Sequence, residues 1–437
     1  MQKYDTSIHS ATEIDNILKN SDLQSTGHFD EAARGIVDDV IRNGTQAVLK
    51  YAKQFDWNGS EAATLEIPKQ LWAEAYNSLD TDLQRVLRSS ADNIRSFHAA
   101  ELEHLQSWQV KSTAHTERGI QLGQLIRPIH RAGVYVPGGK AVYPSTVLMA
   151  SIPAQVAGVE EVIVCTPPDQ LGAVAPVLLA ALHIADVSRA FRVGGAQSIA
   201  AMAYGVDPIP AVDVIVGPGN SYVNSAKKCV FGQVGIDMLA GPSEVAIIVD
   251  GSVPSRFVAL DLLAQTEHGP GNRGFVLAST QNAIDDIIES IHHERETLSR
   301  RAIFDITGEA LVFIKARDIK ECVALCNRIA PEHLELCVAD PHALLEHIRN
   351  AGAVLMGAYS SAPIGDYHAG PSHTLPTAGT ARFSSPLSVN TFMKRSSVIE
   401  YSRVAAMRAA DDVALLANSE GFDAHARAAT VRTEVHA

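Results

Sequence analysis

The sequence predicts an α/β protein with two doubly wound lobes and a cleft between them, plus small helical N-terminal and C-terminal segments. Three observations predict it. From Gly133 onward, short β-branched runs alternate with helix-spaced apolar stretches, the pattern of parallel sheets buried on both faces. Several of those runs end in glycine turns that open a helix. The alternation restarts at Val245, after Ala240-Gly241-Pro242-Ser243-Glu244, so a second lobe repeats the layout of the first.

In chain order, residues 1 to about 110 read as helical, because Ile14-Ile17-Leu18, Ile36-Val37-Val40-Ile41 and Leu83-Val86-Leu87-Ala91-Ile94 recur at helix spacing. No chemistry is evident there. Val134-Tyr135-Val136 is a strand entering the turn Pro137-Gly138-Gly139. Val162 to Cys165 is a strand and Ala173 to Ile184 a buried helix. Phe191-Arg192-Val193 leads through Gly194-Gly195 to a helix from Ala196 to Tyr204. Val212 to Val216 leads through Gly217-Pro218-Gly219-Asn220 to a helix ending near Phe231. The second lobe has strands at Val245–Val249, Phe275–Leu277, Leu311–Ile314, Leu334–Val338 and Ala353–Met356, separated by helices. Together these make two Rossmann-like lobes, between which ligands usually bind.

The chain has 437 residues, 46% of them hydrophobic and 19% charged, which suits a globular protein of more than one domain. A net charge of -13 with no basic block argues against nucleic-acid or anionic-membrane partners. Five scattered cysteines read as reduced thiols. The longest apolar stretch, Leu171 to Ile184, falls short of the ~18 residues of a membrane span. The first residues lack a signal-peptide core. The expectation is a cytoplasmic protein.

Several polar groups stand out. Gln265 and His268, at i and i+3 near a helix end, could supply half of a tetrahedral metal site; alternatively His268 only complements the helix dipole. The Gly194-Gly195 and Gly217–Asn220 turns suit a nucleotide, with backbone N–H groups available to phosphate, Gln197 in a first helical turn and Asn220 at an N-cap position. Neither turn has the GxGxxG spacing. Glu332-His333 reads as an acid–base pair or as a surface acid beside a packing imidazole. The loop from Gly365 to His373 is dense in ligating groups and has no core to serve, which favours function. Glu420 and His425, in a helical tail from Val413 to Val431, face the same way only if Gly421 breaks the helix.

Taken in order, GVYVPGGKAVYPSTVLM, VGGAQSIAA, VDVIVGPGNSYV, IDMLAGPSEV, LLAQTEHGP, PEHLEL, GDYHAGPSHTLPT, ARFSSPLSVNTFMKRSS and EGFDAHA resemble the histidinol dehydrogenase family from about Ile14 to Val431. The resemblance implies zinc-dependent, NAD-linked four-electron oxidation of L-histidinol through L-histidinal to L-histidine, with one Zn2+ per subunit. It places zinc on Gln265, His268, Asp366 and His425, and acid–base catalysis on Glu332 and His333. Substrate contacts fall on Ser243, Gln265, His268, His333, Asp366, His373, Glu420 and His425, and NAD+ contacts on Tyr135, Gln197 and Asn220. It implies a homodimer with exchanged C-terminal tails. It assigns no role to Arg273 or His368. The expected division is a helical segment 1–27, a large domain of 28–132 with 245–386 carrying the zinc and acid–base residues, an NAD domain 133–244, and a tail domain 387–437. The rival readings are a paralogous dehydrogenase of another hydroxylated substrate and a non-catalytic zinc- or nucleotide-binding protein. The first disfavours itself, since an anionic substrate would want Arg or Lys at Glu420.

Overall fold

The β-branched runs become strands because residues buried on both faces of a parallel sheet have no polar side to turn outward. A computed structural model describes residues 1–18, 27–110, 119–138, 141–267 and 269–434. Along it, β1 (Gln2–Asp5) comes first, followed after a helical stretch by β2 (Trp108–Gln109) and β3 (Ile120–Pro128). Next come β4 (Arg131–Tyr135), β5 (Glu161–Thr166), β6 (Arg189–Arg192), β7 (Val214–Val216) and β8 (Gly235–Ile236). The second series is β9 (Glu244–Val249), β10 (Arg273–Ala278), β11 (Leu311–Lys315), β12 (His333–Cys337) and β13 (Ala353–Met356). The long β14 (Met393–Tyr401) closes the set.

The strands build two parallel sheets in the orders β6-β5-β4-β7-β8 and β1-β11-β10-β9-β12-β13, and an antiparallel sheet β14-β3-β2. The two expected α/β lobes are present. The chain divides into two compact units, Met1–Ala100 with Ile129–Phe392, and Glu101–Pro128 with Met393–Ala437. Both parallel sheets lie in the first. The second holds the antiparallel sheet and the helices Arg403–Ser419 and Asp423–Glu434.

The expected domain boundaries change in three ways. The helices Gly27–Asn43 and Thr45–Phe55 share a buried cluster with Tyr135, Phe191, Ile199 and Val223, so they cover the smaller parallel sheet instead of joining 245–386. Their Ala33, Val37, Val40, Ala47, Val48 and Ala52 are the apolar face that requires a partner. β3 pairs with β14 of the tail, and β2 with β3, so both fall in the second unit. Leu387, Val389 and Phe392 are buried in the first unit, so the tail begins at Met393.

The segment read as wholly helical also contributes β1, an edge strand on β11. Its Gln2-Lys3-Tyr4-Asp5 has no apolar run because a solvent edge needs none. The tail helix is broken where Gly421 takes φ +79°.

Candidate functional site

His333 is the first residue of β12, and Pro331-Glu332 leads into it. β12 lies between β9 and β13, so Glu332 and His333 stand at the amino ends of parallel strands, beside Ser243 just before β9. Both are buried, at 6% and 4% exposure. The Glu332 Oε2 accepts from the Glu244 backbone N–H at 2.9 Å. His333 Nε2 lies 3.2 Å from Asp366 Oδ1, while its Nδ1 is buried 3.9 Å from Glu332 Oε2. Asp366 is delivered by the short turn Gly365–Ala369, which follows the helix Ala362–Ile364.

His373, at the end of the same loop, places Nδ1 3.2 Å from the Asp366 carbonyl oxygen and Nε2 3.3 Å from the Thr146 hydroxyl. Thr146 belongs to the helix Pro144–Val156 of the smaller-sheet lobe, so His373 bridges the lobes. His333, Asp366 and His373, with Met356, Ile364 and Leu375, line a cavity of about 270 Å3. A larger cavity of about 530 Å3 between Leu71, Leu171 and Arg192 contains none of the expected site residues.

Burial raises the Glu332 carboxyl to about 7, opposed by the His333 charge and the Glu244 N–H. Burial pulls His333 down, but the Asp366 hydrogen bond and the Glu332 and Asp366 charges outweigh it and hold the imidazole at about 9. An acid that exchanges its proton near neutrality thus sits beside an imidazole oriented by a carboxylate, an arrangement suited to moving protons.

Gln265 is carried by the helix Ser255–Thr266 and is 6% exposed, and no hydrogen bond occupies its amide among the described residues. His268 lies outside the described residues. Among the described residues no three of His, Cys, Asp and Glu converge as a metal site. Of the expected ligands, the first unit supplies Gln265 and Asp366, whose amide and carboxylate oxygens suit a divalent cation. Glu420 and His425 are exposed in the second unit, on either side of the Gly421 break, with His425 against Phe422 at 5.3 Å between ring centroids. Ser243 is held through its backbone N–H, which donates to Asn272 Oδ1 at 2.9 Å.

The expected nucleotide turns lie at carboxyl ends of the smaller sheet. Tyr135 ends β4, and its hydroxyl accepts from the Gly195 N–H at 3.3 Å. Gln197, 1% exposed, donates through Nε2 to Asp56 Oδ2 at 3.3 Å, and the Gly194 N–H donates to the same oxygen at 2.9 Å. The Gly194 and Gly195 N–H groups expected to receive phosphate are therefore already taken, one by a carboxylate. Asp56 was not foreseen, because it lies at the end of a helix in the segment that shows no chemistry. Burial raises its carboxyl to about 6.

Asn220 is exposed on the other turn and caps its helix by accepting from the Val223 N–H at 3.1 Å. Gly217 is held on both sides. Its N–H donates to Asp237 Oδ2 at 2.7 Å, and its carbonyl oxygen accepts from Lys227 Nζ at 3.0 Å. Lys227 also donates to Asp237 Oδ1. Gly139 of the first turn lies outside the described residues.

The two residues without an assigned role are structural or exposed. Arg273 donates to the Ile17 carbonyl oxygen and stacks over Phe275 at 4.6 Å. His368 is exposed, and its carbonyl oxygen accepts from Asn93 Nδ2 at 2.7 Å.

Comparison with known proteins adds three findings. The family model for histidinol dehydrogenase matches residues 19–433. The histidinol dehydrogenase of Heliobacterium mobile is 43% identical over 429 residues, covering 98% of this chain and 98% of the relative. That of Bordetella parapertussis is 46% identical over 410 residues, covering 93% and 91%. The crystal structure of histidinol dehydrogenase from Elizabethkingia anophelis superposes with a TM-score of 0.92 at 31% identity, over 99% of this chain and 98% of that one.

Proposed function

From the premise that the chain belongs to the histidinol dehydrogenase family, and is an oxidoreductase, we propose that it oxidises L-histidinol through L-histidinal to L-histidine in the cytoplasm. The balance is one L-histidinol, one water and two NAD+ consumed, with one L-histidine, two NADH and three protons formed. The observation that carries the reading is the Glu332–His333–Asp366 constellation, its first two members buried, with its His333–Asp366 contact of 3.2 Å.

His333 enters each oxidation as the neutral imidazole, which gains population as pH rises toward about 9. It takes the substrate hydroxyl proton in the first oxidation and releases it to solvent before the second, and Asp366 holds the imidazole in orientation for it. Glu332 then removes a proton from the water that adds to the aldehyde, and His333 takes the hydrate's hydroxyl proton in the second oxidation. A carboxyl near 7 can receive that proton at neutral pH and release it again. Glu420 accepts from an N–H of the substrate amine, and Ser243 and His373 complete the substrate contacts. Tyr135, Gln197 and Asn220 bind the dinucleotide. Gln265, His268, Asp366 and His425 would hold zinc, which when bound supplies orientation of the substrate imidazole and amine.

In this reading the tail residues come from a partner subunit in a homodimer. Support comes from the second unit, where Ile399, Leu415 and Leu416 are 70%, 74% and 64% exposed. Apolar exposure of that kind marks an interface.

The test is the amount of NADH formed per histidinol consumed by the purified, zinc-loaded protein with NAD+ in excess. Two per histidinol, abolished by a chelator and restored by zinc, is expected. No turnover by folded, zinc-loaded protein would sink the substrate assignment and send the search to other amino alcohols and diols.

A further inference from the structure

Behind His333 lies a second pair of acids that the proposed chemistry does not use. Glu335 follows His333 by two residues on β12, so both side chains leave the same face of the strand. The helix Ser255–Thr266 packs its Val258, Ala259, Leu262 and Leu263 in the same buried cluster as Val245, Ile247 and Cys337 on that face. From this helix the Asp261 carboxyl reaches that of Glu335 within hydrogen-bonding contact.

Glu335 is 1% exposed, and its neighbours across the sheet are Ile247 on β9 and Leu355 on β13. Its Oε1 accepts from the Ala362 backbone N–H at 3.0 Å. Its Oε2 is buried with no donor among the described residues. The titratable groups facing the pair are His333 and Cys337 on β12. Among the described residues no Lys or Arg pairs with either acid.

Two ionised carboxylates in contact within an apolar layer repel, and each is poorly solvated. One proton between them removes the repulsion and gives the orphaned Oε2 a partner. Burial raises both carboxyls from their ordinary values, that of Glu335 well above it, as this requires.

We propose that Asp261 and Glu335 share a single proton and serve as a positioning pair for the catalytic cluster. Three segments meet there. The helix bearing Asp261 carries Gln265 one turn further on, β12 carries His333 and is entered through Glu332, and the Ala362 N–H anchors the turn that delivers Asp366. The pair therefore sets the relative placement of groups that must act together. Its effect on turnover rests on the histidinol reading, whereas the shared proton does not.

Infrared spectroscopy of the full-length protein reads the proton directly. At a pH above the range in which Glu332 and Asp56 titrate, the wild type is expected to keep the carbonyl stretch of a protonated carboxylic acid. Glu335→Gln and Asp261→Asn should each lose it. Absence of the band from the wild type, or its persistence in both variants, overturns the shared proton.

The kinetic arm separates positioning from bulk packing. In Glu335→Gln the amide N–H donates to Asp261 and the amide oxygen still accepts from Ala362, so kcat is retained. Glu335→Leu breaks both contacts and should lose kcat on the order of 10²-fold, the cost of misplacing reacting groups by about 1 Å, with KM for NAD+ unchanged. Equal losses in the two variants overturn the positioning role. A wild type with the band but no histidinol turnover counts against the functional reading and supports the proton.

Discussion

Glu332 and His333 are adjacent in the chain, yet their surroundings differ. Glu332 has one backbone donor and deep burial, whereas His333 has a carboxylate at its Nε2. In the proposed division of work, Glu332→Gln slows histidinal oxidation far more than histidinol oxidation. The two partial reactions are measured separately, and equal losses would contradict the assignment.

Asp56 supports a pH prediction. Its folded carboxyl titrates near 6 and the free side chain near 3.8, so the unfolded chain ionises first as pH rises. Stability present below the unfolded value is therefore lost through the window between the two. Asp56→Asn should remove that dependence and gain up to about 3 kcal/mol on the wild type between acid and neutral pH, read by urea unfolding at both ends. A constant difference between the two proteins would sink the idea. The proposed acid–base residues stand out in the sequence as residue types in a suggestive order. Asp56 was not, because a lone acid after a helix becomes notable only when folding brings Gly194 over it.

Among the elements, the turn at Gly217 depends on an ion pair sealed inside the lobe, with Lys227 and Asp237 at 0% and 1% side-chain exposure. Removing one member leaves the other charge buried and uncompensated, so Lys227→Met should cost about 3–5 kcal/mol in urea unfolding. Lys227→Met combined with Asp237→Asn should recover most of it, because the amide oxygen still accepts from the Gly217 N–H. A single variant as stable as the wild type would refute the clamp.

Most strands of the parallel sheets were readable from β-branched runs with no polar side. β1, β2, β3, β8 and β14 were not, β2 and β8 being only two residues long. β1 is a polar edge strand, and β14 is exposed along almost its whole length, so its residues carry no burial signal. Nor could periodicity tell which sheet the helices Gly27–Asn43 and Thr45–Phe55 would cover, since an amphipathic face shows that a partner exists without saying which.

At the scale of the whole molecule, the proposed ligand set spans both units of the chain, and the tail residues Glu420 and His425 are exposed in one of them. If the tail serves a partner's site, two inactive variants should rescue each other. Glu332→Gln mixed with His425→Asn and allowed to exchange subunits forms heterodimers with one intact site, so part of the wild-type rate returns. No recovery, despite exchange demonstrated by mass, would assign the tail to its own subunit. Oligomeric partnership is the property the residues alone reveal least, because exposed leucines in a helix read equally as tail or as interface.

The two parallel sheets present their working groups at opposite ends. Glycine turns follow the strands of the smaller sheet, while the proposed acid–base pair precedes those of the larger one, away from the rim where open α/β sheets usually hold ligands. The far rim of the larger sheet, at Asp250-Gly251-Ser252, Ser279-Thr280 and Arg317-Asp318, carries none of the proposed catalytic residues. That rim is where the fold can absorb inserted loops, a reporter peptide or a surface tether while the chemistry proceeds undisturbed.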